Sequence, residues 1–295
     1  MESVMEQLRS LFARLPLGPL QPARPVVAVL RLTGVIGQVG PLRTGLSLAR
    51  LAPAIERAFS VPRVKAVALA INSPGGSPVQ SSLIARRIRQ LAAEKNVPVV
   101  AFAEDVAASG GYWLACAADE IYADASSILG SIGVIASSFG FAEAIDKIGV
   151  KRRVYTAGEH KSMLDPFQPE DPADVERLKA IQADIHTGFQ AWVRERRGDR
   201  LRGAPEELFS GEFWTGRRAL ELGLIDGIDD LRSAMRRRFG DEVRLRLIGG
   251  ERSWLRRRLA SGPLAGDAPS ILPATWAEDL LAAVEARLWW NRFGL

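Results

Sequence analysis

Residues 64–77 read V-K-A-V-A-L-A-I-N-S-P-G-G-S, and this stretch decides the fold. Val64–Ile71 is an almost unbroken apolar run. Such runs belong to strands covered on both faces, the usual state of strands in a parallel sheet. Asn72–Ser77 breaks the run with Pro74 and the Gly75–Gly76 pair, and a helical pattern follows over Val79–Lys95.

The same alternation extends in both directions. Upstream, Val26–Leu32 reads as a strand turning at Gly34, and Ser47–Phe59 as a helix. Downstream come a strand at Val97–Ala103, a loop at Asp105–Gly110, a short apolar helix at Gly111–Ala118 and a strand at Glu120–Ala123. A helix at Phe141–Ile148, a strand at Arg152–Thr156 and a long helix at Ala173–Arg197 continue the pattern. The long helix carries Val175, Leu178, Ile181, Ile185, Phe189 and Trp192 on one stripe. Thr215 caps a helix over Gly216–Leu222, and Gly223 stops it. Strands alternating with helices predict an α/β fold with largely parallel strands.

The flanks have a different texture. Residues 1–15 form an amphipathic pattern through Val4, Leu8, Leu11, Phe12 and Leu15, ended by Pro16, Pro19, Pro22 and Pro25. Residues 261–274 read as a linker, before a terminal helix with Trp276, Leu280, Val284, Leu288 and Trp289–Trp290. Three parts are therefore expected: helix and Pro-rich linker at 1–24, the α/β body at 25–249, and linker plus terminal amphipathic helix at 250–295.

Composition narrows the class. Hydrophobic residues at 47% and charged residues at 25% of a 295-residue chain are ordinary for a soluble globular protein. The net charge of +5 is modest and its charges are interspersed, which argues against a nucleic-acid binder. Arg236–Arg238 and Arg256–Arg258 read as solvated helix faces, with contact to an anionic surface as the second reading. The single cysteine, Cys116, allows no intrachain disulfide and fits a reducing compartment. Two histidines and one cysteine do not make a His/Cys metal cage, and no cofactor is expected. The uncharged stretch Ala125–Ala142 carries five serines and three glycines, so it reads as a buried strand–turn–helix rather than a span. Glu2 and Glu6 stand where a signal peptide has basic residues. The expected location is cytoplasmic, with peripheral attachment through the amphipathic ends as a further reading.

Two segments could carry chemistry. In N-S-P-G-G-S (72–77), paired glycines between strand and helix let backbone N–H groups face a developing oxyanion, and a plain strand-to-helix turn has the same sequence. In A-A-S-G-G-Y-W (107–113), Ser109 sits among small residues at a turn opening a helix. Nucleophile and helix N-cap are both open readings there. Gly211 and Gly216 have P-loop spacing, but Arg217–Arg218 replaces the required Lys-Ser/Thr. A base for Ser109 must come from few groups. His186 lies near the apolar stripe and reads as structural, whereas His160 adjoins Lys161 in G-E-H-K-S-M-L-D-P-F (158–167). A lysine serves as base only when neutral, and Met163, Leu164 and Phe167 could supply the apolar cover that this requires.

Taken together, N-S-P-G-G-S (72–77), D-V-A-A-S-G-G-Y-W (105–113), G-S-I-G-V (130–134) and G-E-H-K (158–161) resemble, in order and spacing, the signal peptide peptidase A (SppA) family. F-W-T-G-R-R-A-L-E-L-G-L-I-D (213–226) looks like that family's closing helix motif. The resemblance covers about residues 26–235. It implies a ClpP/crotonase-like spiral of ββα units and a serine endopeptidase with a Ser-Lys dyad. By position, Ser109 matches the nucleophile, Lys161 the general base, Gly76 an oxyanion-hole donor with Gly110 as the second, and Ser131 the serine that orients the lysine. It also implies a homo-oligomeric ring or dome whose sites are shared between subunits. The implied substrates are signal-peptide remnants or other hydrophobic or membrane-associated polypeptides. Many family members carry an N-terminal anchor, where this sequence has only the 1–15 pattern. Two alternatives share the fold: an acyl-CoA-processing crotonase, which would place acidic catalytic residues at the pocket, and an inactive scaffold binding membrane partners.

Overall fold

The structure, a computed structural model, describes residues 24–37, 45–249, 284 and 287–294. The helix expected over 1–15, the linker at 261–274 and most of the terminal helix lie outside the described residues. The body alternates strand and helix: β1 (Val26–Thr33), α1 (Leu48–Phe59), β2 (Val64–Ser73), α2 (Pro78–Lys95), β3 (Val99–Ala108), α3 (Gly110–Ala115), β4 (Glu120–Ala123) and β5 (Ile128–Gly130). After α4 (Ala142–Lys147) and the long α5 (Pro172–Arg197) come α6 (Pro205–Leu208), β6 (Phe213–Thr215), α7 (Gly216–Glu221), β7 (Gly227–Ile228), α8 (Leu231–Phe239) and β8 (Arg244–Ile248). The sheet runs β6-β5-β3-β2-β1-β8, with β4 pairing both β3 and β7. Every pairing is parallel except the antiparallel β5–β6. This is the α/β architecture the alternation predicts.

The apolar run that decides the fold is buried on both faces. Val67, Leu69 and Ile71 point into one core with Ile55, Ile84, Ile88 and Leu114. Ala66, Ala68 and Ala70 point into the other, with Val27, Val100, Phe102 and Met235. Large residues thus meet the α1–α2–α3 layer and small ones the α8 side. Each fully buried Leu or Ile contributes about 1.5–3 kcal/mol. Helix α2 is bounded by chemistry legible in the sequence. The Ser77 hydroxyl accepts the Gln80 N–H, Pro78 opens the helix and Asn96 ends it at φ 51°.

Four expectations need correction. The segment Asp105–Ala108 is not loop, because β3 continues to Ala108 and pairs with β5 through Val106–Ala108. The cause is a contact from the neighbouring strand: Asn72 accepts the Val106 N–H and donates to Asp105, spanning a register shift between Ile71 and Ser73. Arg152–Thr156 is not a strand. It is exposed and has no ladder partner among the described residues; Arg152 instead pairs with Asp165 and stacks on Phe167. Within Ala125–Ala142 only Ile128–Gly130 is strand, and the chain is exposed from Ile135 to Phe141. The apolar stripe of α5 is buried only near its C-terminal end, at Phe189 and Val193, while Ile181 is exposed. The strand expected within Ala125–Ala142 is β5, whereas β6 to β8, α6 and α8 were not anticipated.

Candidate active site

Ser109 stands where β3 passes into α3, at φ 52° and ψ −121°. Its N–H donates to the Gly130 carbonyl at 2.8 Å, and its carbonyl accepts the Trp113 N–H at 3.0 Å. It occupies the N-cap position of α3, but its side chain makes no capping hydrogen bond and is left free of that role. The residue is partly accessible although its neighbours Ala108 and Gly110 are buried. A serine in this backbone region is uncommon and strained.

The glycine pair is packed against that turn. A Cβ on Gly75 would lie 2.8 Å from the Ser109 Cβ and 2.9 Å from the Gly110 nitrogen. A Cβ on Gly76 would lie 2.0 Å from the Ile36 carbonyl oxygen. Ile36 donates to the Gly75 carbonyl and accepts the Ser77 N–H, both at 2.8 Å. In such a parallel bridge the intervening Gly76 turns its own N–H to the opposite side. The Gly75 N–H is taken up by the Ser73 hydroxyl at 3.2 Å. Gly110 and Gly111 complete the close approach: a Cβ on the first would meet Ser81 Oγ at 2.5 Å, and on the second the Ser73 carbonyl at 2.5 Å. The fold therefore brings Gly76, Ser109 and Gly110 into one cluster.

Helix α5 holds α3 from behind. Trp192 Nε1 donates to the Trp113 carbonyl at 3.1 Å, and Arg196 donates to the carbonyls of Cys116 and Ala118 at 3.0 and 3.1 Å. Trp113 stacks on Phe189 with centroids 4.6 Å apart. Tyr112 is fully buried and donates to the Leu224 carbonyl at 2.7 Å. Arg197 grips Asp226 through two nitrogens at 2.7 and 3.0 Å. Burial pushes the Asp226 carboxyl up, but the Arg197 hydrogen bond and charge outweigh it and hold it below the usual range. Burial also pushes the Cys116 thiol up to about 12, which makes it an inert core residue.

Ser131 follows β5 at φ 51°, is 4% exposed, and donates its N–H to the Glu212 carbonyl at 2.6 Å. It is joined to Ser109 through one residue, because Gly130 accepts the Ser109 N–H. His186 Nε2 lies 3.0 Å from the Ile132 carbonyl, the structural role expected of it. Lys161 is different. It lies in an exposed turn, its backbone N–H donating to Gly158 at 3.2 Å. Among the described residues no hydrogen bond joins its side chain to Ser109 or Ser131. The expected cover from Met163, Leu164 and Phe167 does not shield it within one chain: those residues are half-buried and Lys161 is exposed. Its segment carries many exposed apolar groups, with Phe139 at 76%, Ile148 at 73% and Tyr155 at 89%.

A cavity of about 970 Å³ lies elsewhere, floored by Ala70, Phe102 and Leu245 on the α8 side of the sheet. It includes none of the expected site residues, so its size is no guide to the chemistry. What the sequence reading did not anticipate are the supports of the turns: the Gly130 and Glu212 carbonyls, the Ser73 hydroxyl on Gly75, and the Trp214 ring over Gly130. Only Gly130, directly before Ser131, gave any signal of a tight approach.

Comparison with known proteins places this geometry in a family. The model of peptidase family S49 matches residues 91–242, which include Ser109, Ser131 and Lys161. The chain is 53% identical over 274 residues to a Brucella abortus (strain 2308) protein named Na(+)/H(+) antiporter NhaA, covering 91% of this chain and 37% of that protein. It is 35% identical over 220 residues to the chloroplastic serine protease SPPA of Arabidopsis thaliana, covering 72% of this chain and 32% of that one. The chain thus spans about a third of the length of these curated relatives. Among solved structures, a 1510-N membrane-bound stomatin-specific protease in complex with a substrate peptide aligns at a TM-score of 0.47 and 16% identity, covering 81% of this chain and 97% of that one. Among the described residues no helix is long and apolar enough to cross a membrane, and the transporter name stays with the relative that bears it. On the strength of the family model, which spans just over half of the sequence, the chain belongs to peptidase family S49.

Proposed function

We propose that this chain is a serine endopeptidase in which Ser109 is the nucleophile and Lys161 the general base, the two supplied by different copies of the chain. The observation that carries the reading is Ser109 itself: a strained serine, free of any capping bond, with Gly75–Gly76 packed against it. Neutral Lys161 takes the Ser109 hydroxyl proton as Oγ attacks the peptide carbonyl carbon. The N–H groups of Gly76 and Gly110 receive the oxyanion. The C–N bond then breaks as Lys161 returns the proton to the leaving amine, and water hydrolyses the acyl-enzyme to free Ser109. Ser131 holds the lysine amine in place. The exposure of Lys161 supports sharing between copies, since a lysine base must be desolvated and its apolar surroundings are themselves uncovered in one chain. Hydrophobic or membrane-associated polypeptides, signal-peptide remnants among them, are the substrates this reading favours.

The test is a mixing experiment on a fluorogenic apolar peptide. Ser109→Ala and Lys161→Ala are each inactive alone, and their mixture regains activity at interfaces that pair an intact serine with an intact lysine. Proven subunit exchange with no recovery refutes sharing. Activity surviving in Ser109→Ala refutes the nucleophile.

A further inference from the structure

Strand β6 takes no part in the chemistry above, yet the backbone of both strained serines leads to it. Ser109 donates to the Gly130 carbonyl at 2.8 Å, and Ser131 donates to the Glu212 carbonyl at 2.6 Å. Leu129 pairs with Trp214 and Gly130 with Phe213 across the antiparallel ladder. A Cβ on Gly130 would lie 2.6 Å from both Cε3 and Cζ3 of Trp214, so the six-membered ring of the indole rests directly on the Gly130 backbone.

The turn beneath that ring is unusual. Gly130 has φ 99° and Ser131 φ 51°, two successive residues in the left-handed half of conformational space. A serine there persists only where its surroundings leave no alternative. Two contacts supply that constraint. The Glu212 carbonyl fixes the Ser131 N–H, and the Trp214 ring fills the space into which Gly130 would relax. The far end of β6 is itself pinned: a Cβ on Gly216 would lie 2.0 Å from the Asp124 carbonyl oxygen, and Arg217 donates to the Ala125 carbonyl at 3.2 Å. The ring is therefore held by a strand that cannot readily retreat.

We infer that Trp214 is a positioning residue of the peptidase site: its ring, pressed on Gly130, fixes the Gly130–Ser131 turn and so the place of the Ser131 hydroxyl relative to Ser109. The inference rests on the assignment of Ser109 and Ser131 proposed above. Trp214 does not touch substrate; its effect runs through Ser131, on turnover and not on peptide binding.

Misplacement by around 1 Å costs up to about a hundredfold in rate, so Trp214→Ala lowers kcat about 10- to 100-fold with KM changed less than about twofold. Trp214→Phe, which keeps a ring over Gly130, recovers most of the loss. The decisive readout is a double-mutant cycle with Ser131→Ala. In that background Trp214→Ala costs less than about threefold more, because the group it positions is already gone. If Trp214→Ala does not fold, Trp214→Leu replaces it, with the same ordering below Trp214→Phe. An unchanged kcat, an additive cycle, or Phe no better than Leu overturns the inference, as does Ser131→Ala with full activity. Ser109→Ala separates the two failures. If it is inactive while Trp214→Ala turns over normally, only the positioning role falls; if it is active, the site assignment falls first.

Discussion

Substituting Gly76 by alanine tests the proposed oxyanion donor with a perturbation whose size the structure fixes. The new Cβ would stand 2.0 Å from the Ile36 carbonyl oxygen, where 3.0 Å is the closest that real Cβ contacts reach. One group must therefore retreat by about 1 Å, a displacement that alone costs about a hundredfold in a catalytic geometry. The obstacle is backbone, so no side-chain rotation relieves it. Ile36 is tied on both sides, to Gly75 and to Ser77, and cannot yield without losing those bonds. Gly76 moves instead, and on the proposed assignment its N–H leaves the oxyanion. Loss of one such donor costs about 10²–10³ in kcat, roughly 2.7–4 kcal/mol of transition-state stabilisation. Alanine at φ 139° adds backbone strain of about 1–3 kcal/mol, so the melting midpoint falls as well. Gly34→Ala is the control. It has φ 109° but nothing within 4 Å of a new Cβ, so it strains the backbone without a clash. Steady-state kinetics on a fluorogenic peptide, with thermal melts of both variants, should show Gly34→Ala less stable but near wild-type in kcat, and Gly76→Ala about 10²-fold slower or worse. A folded Gly76→Ala enzyme with kcat within about threefold of wild type, beside an inactive Ser109→Ala, refutes the assignment of that donor.

The other expectations span stability, reactivity and assembly. Asp226→Ala leaves Arg197, whose side chain is 2% exposed, without its carboxylate, and should lower the unfolding free energy by about 3–5 kcal/mol in urea titrations. Because the folded Asp226 carboxyl sits below the ordinary value near 3.9, its contribution is present above that pH and lost as pH falls through the lower folded value; wild type should therefore lose stability below about pH 4 more steeply than Asp226→Asn. Cys116, with its thiol near 12, should resist a thiol reagent at pH 8 until the protein is unfolded, and labelling of the native state at the unfolded rate would contradict its burial. Tyr155→Glu should shift the sedimentation profile toward the monomer and cut specific activity in parallel; an unchanged profile removes this face from the assembly. Ser109→Gly should abolish activity while raising stability by about 1 kcal/mol, the relief of backbone strain less the entropy of the added glycine.

The central sheet was legible because its signal is compositional. Val64–Ile71 has only one charged residue, and a run that apolar has no stable place except between two layers. Val79–Lys95 was legible as a helix from its pattern, and the Ser77 cap, Pro78 and Asn96 that bound α2 are local chemistry. The misreadings lie where tertiary pairing overrides local pattern. Asp105 looks like a loop residue, yet Asn72 holds it in β3 from another strand. Strands β5, β6 and β7 are two or three residues long, below the length at which periodicity means anything, and each exists by pairing with a neighbour: β5 with β3, β6 with β5 and β7 with β4. Val154 and Tyr155 are strand-like residues, but among the described residues no strand edge pairs with them. For the site, residue types identified Ser109 and the glycine pair as candidates without choosing between chemistry and structure. Only the ordered set of motifs singled out Lys161, whose surroundings in one chain give no sign of a base.

The strained backbone bears on what the two serines are for. Positive φ in non-glycine residues occurs among the described residues at Arg63, Asn96, Ser109, Ser131 and Leu164. Asn96 closes a helix, where the left-handed state is routine for asparagine. Arg63 lies in the exposed turn before β2. Ser109 and Ser131 have no such excuse. Each sits at the end of a strand, tied by its N–H to a neighbouring carbonyl, and each is next to a glycine that the same turn already uses. Glycine at either position would adopt the observed angles at little steric cost. A hydroxyl is held instead in a conformation that costs about 1–3 kcal/mol, at both ends of one short hydrogen-bonded path through Gly130. A purely structural turn gains nothing from that arrangement, because neither serine is needed for the backbone bonds it makes. On the proposed assignment, an enzyme gains a fixed spacing between its nucleophile and the group that orients its base, with the reorganisation completed on folding and none left for the moment of reaction.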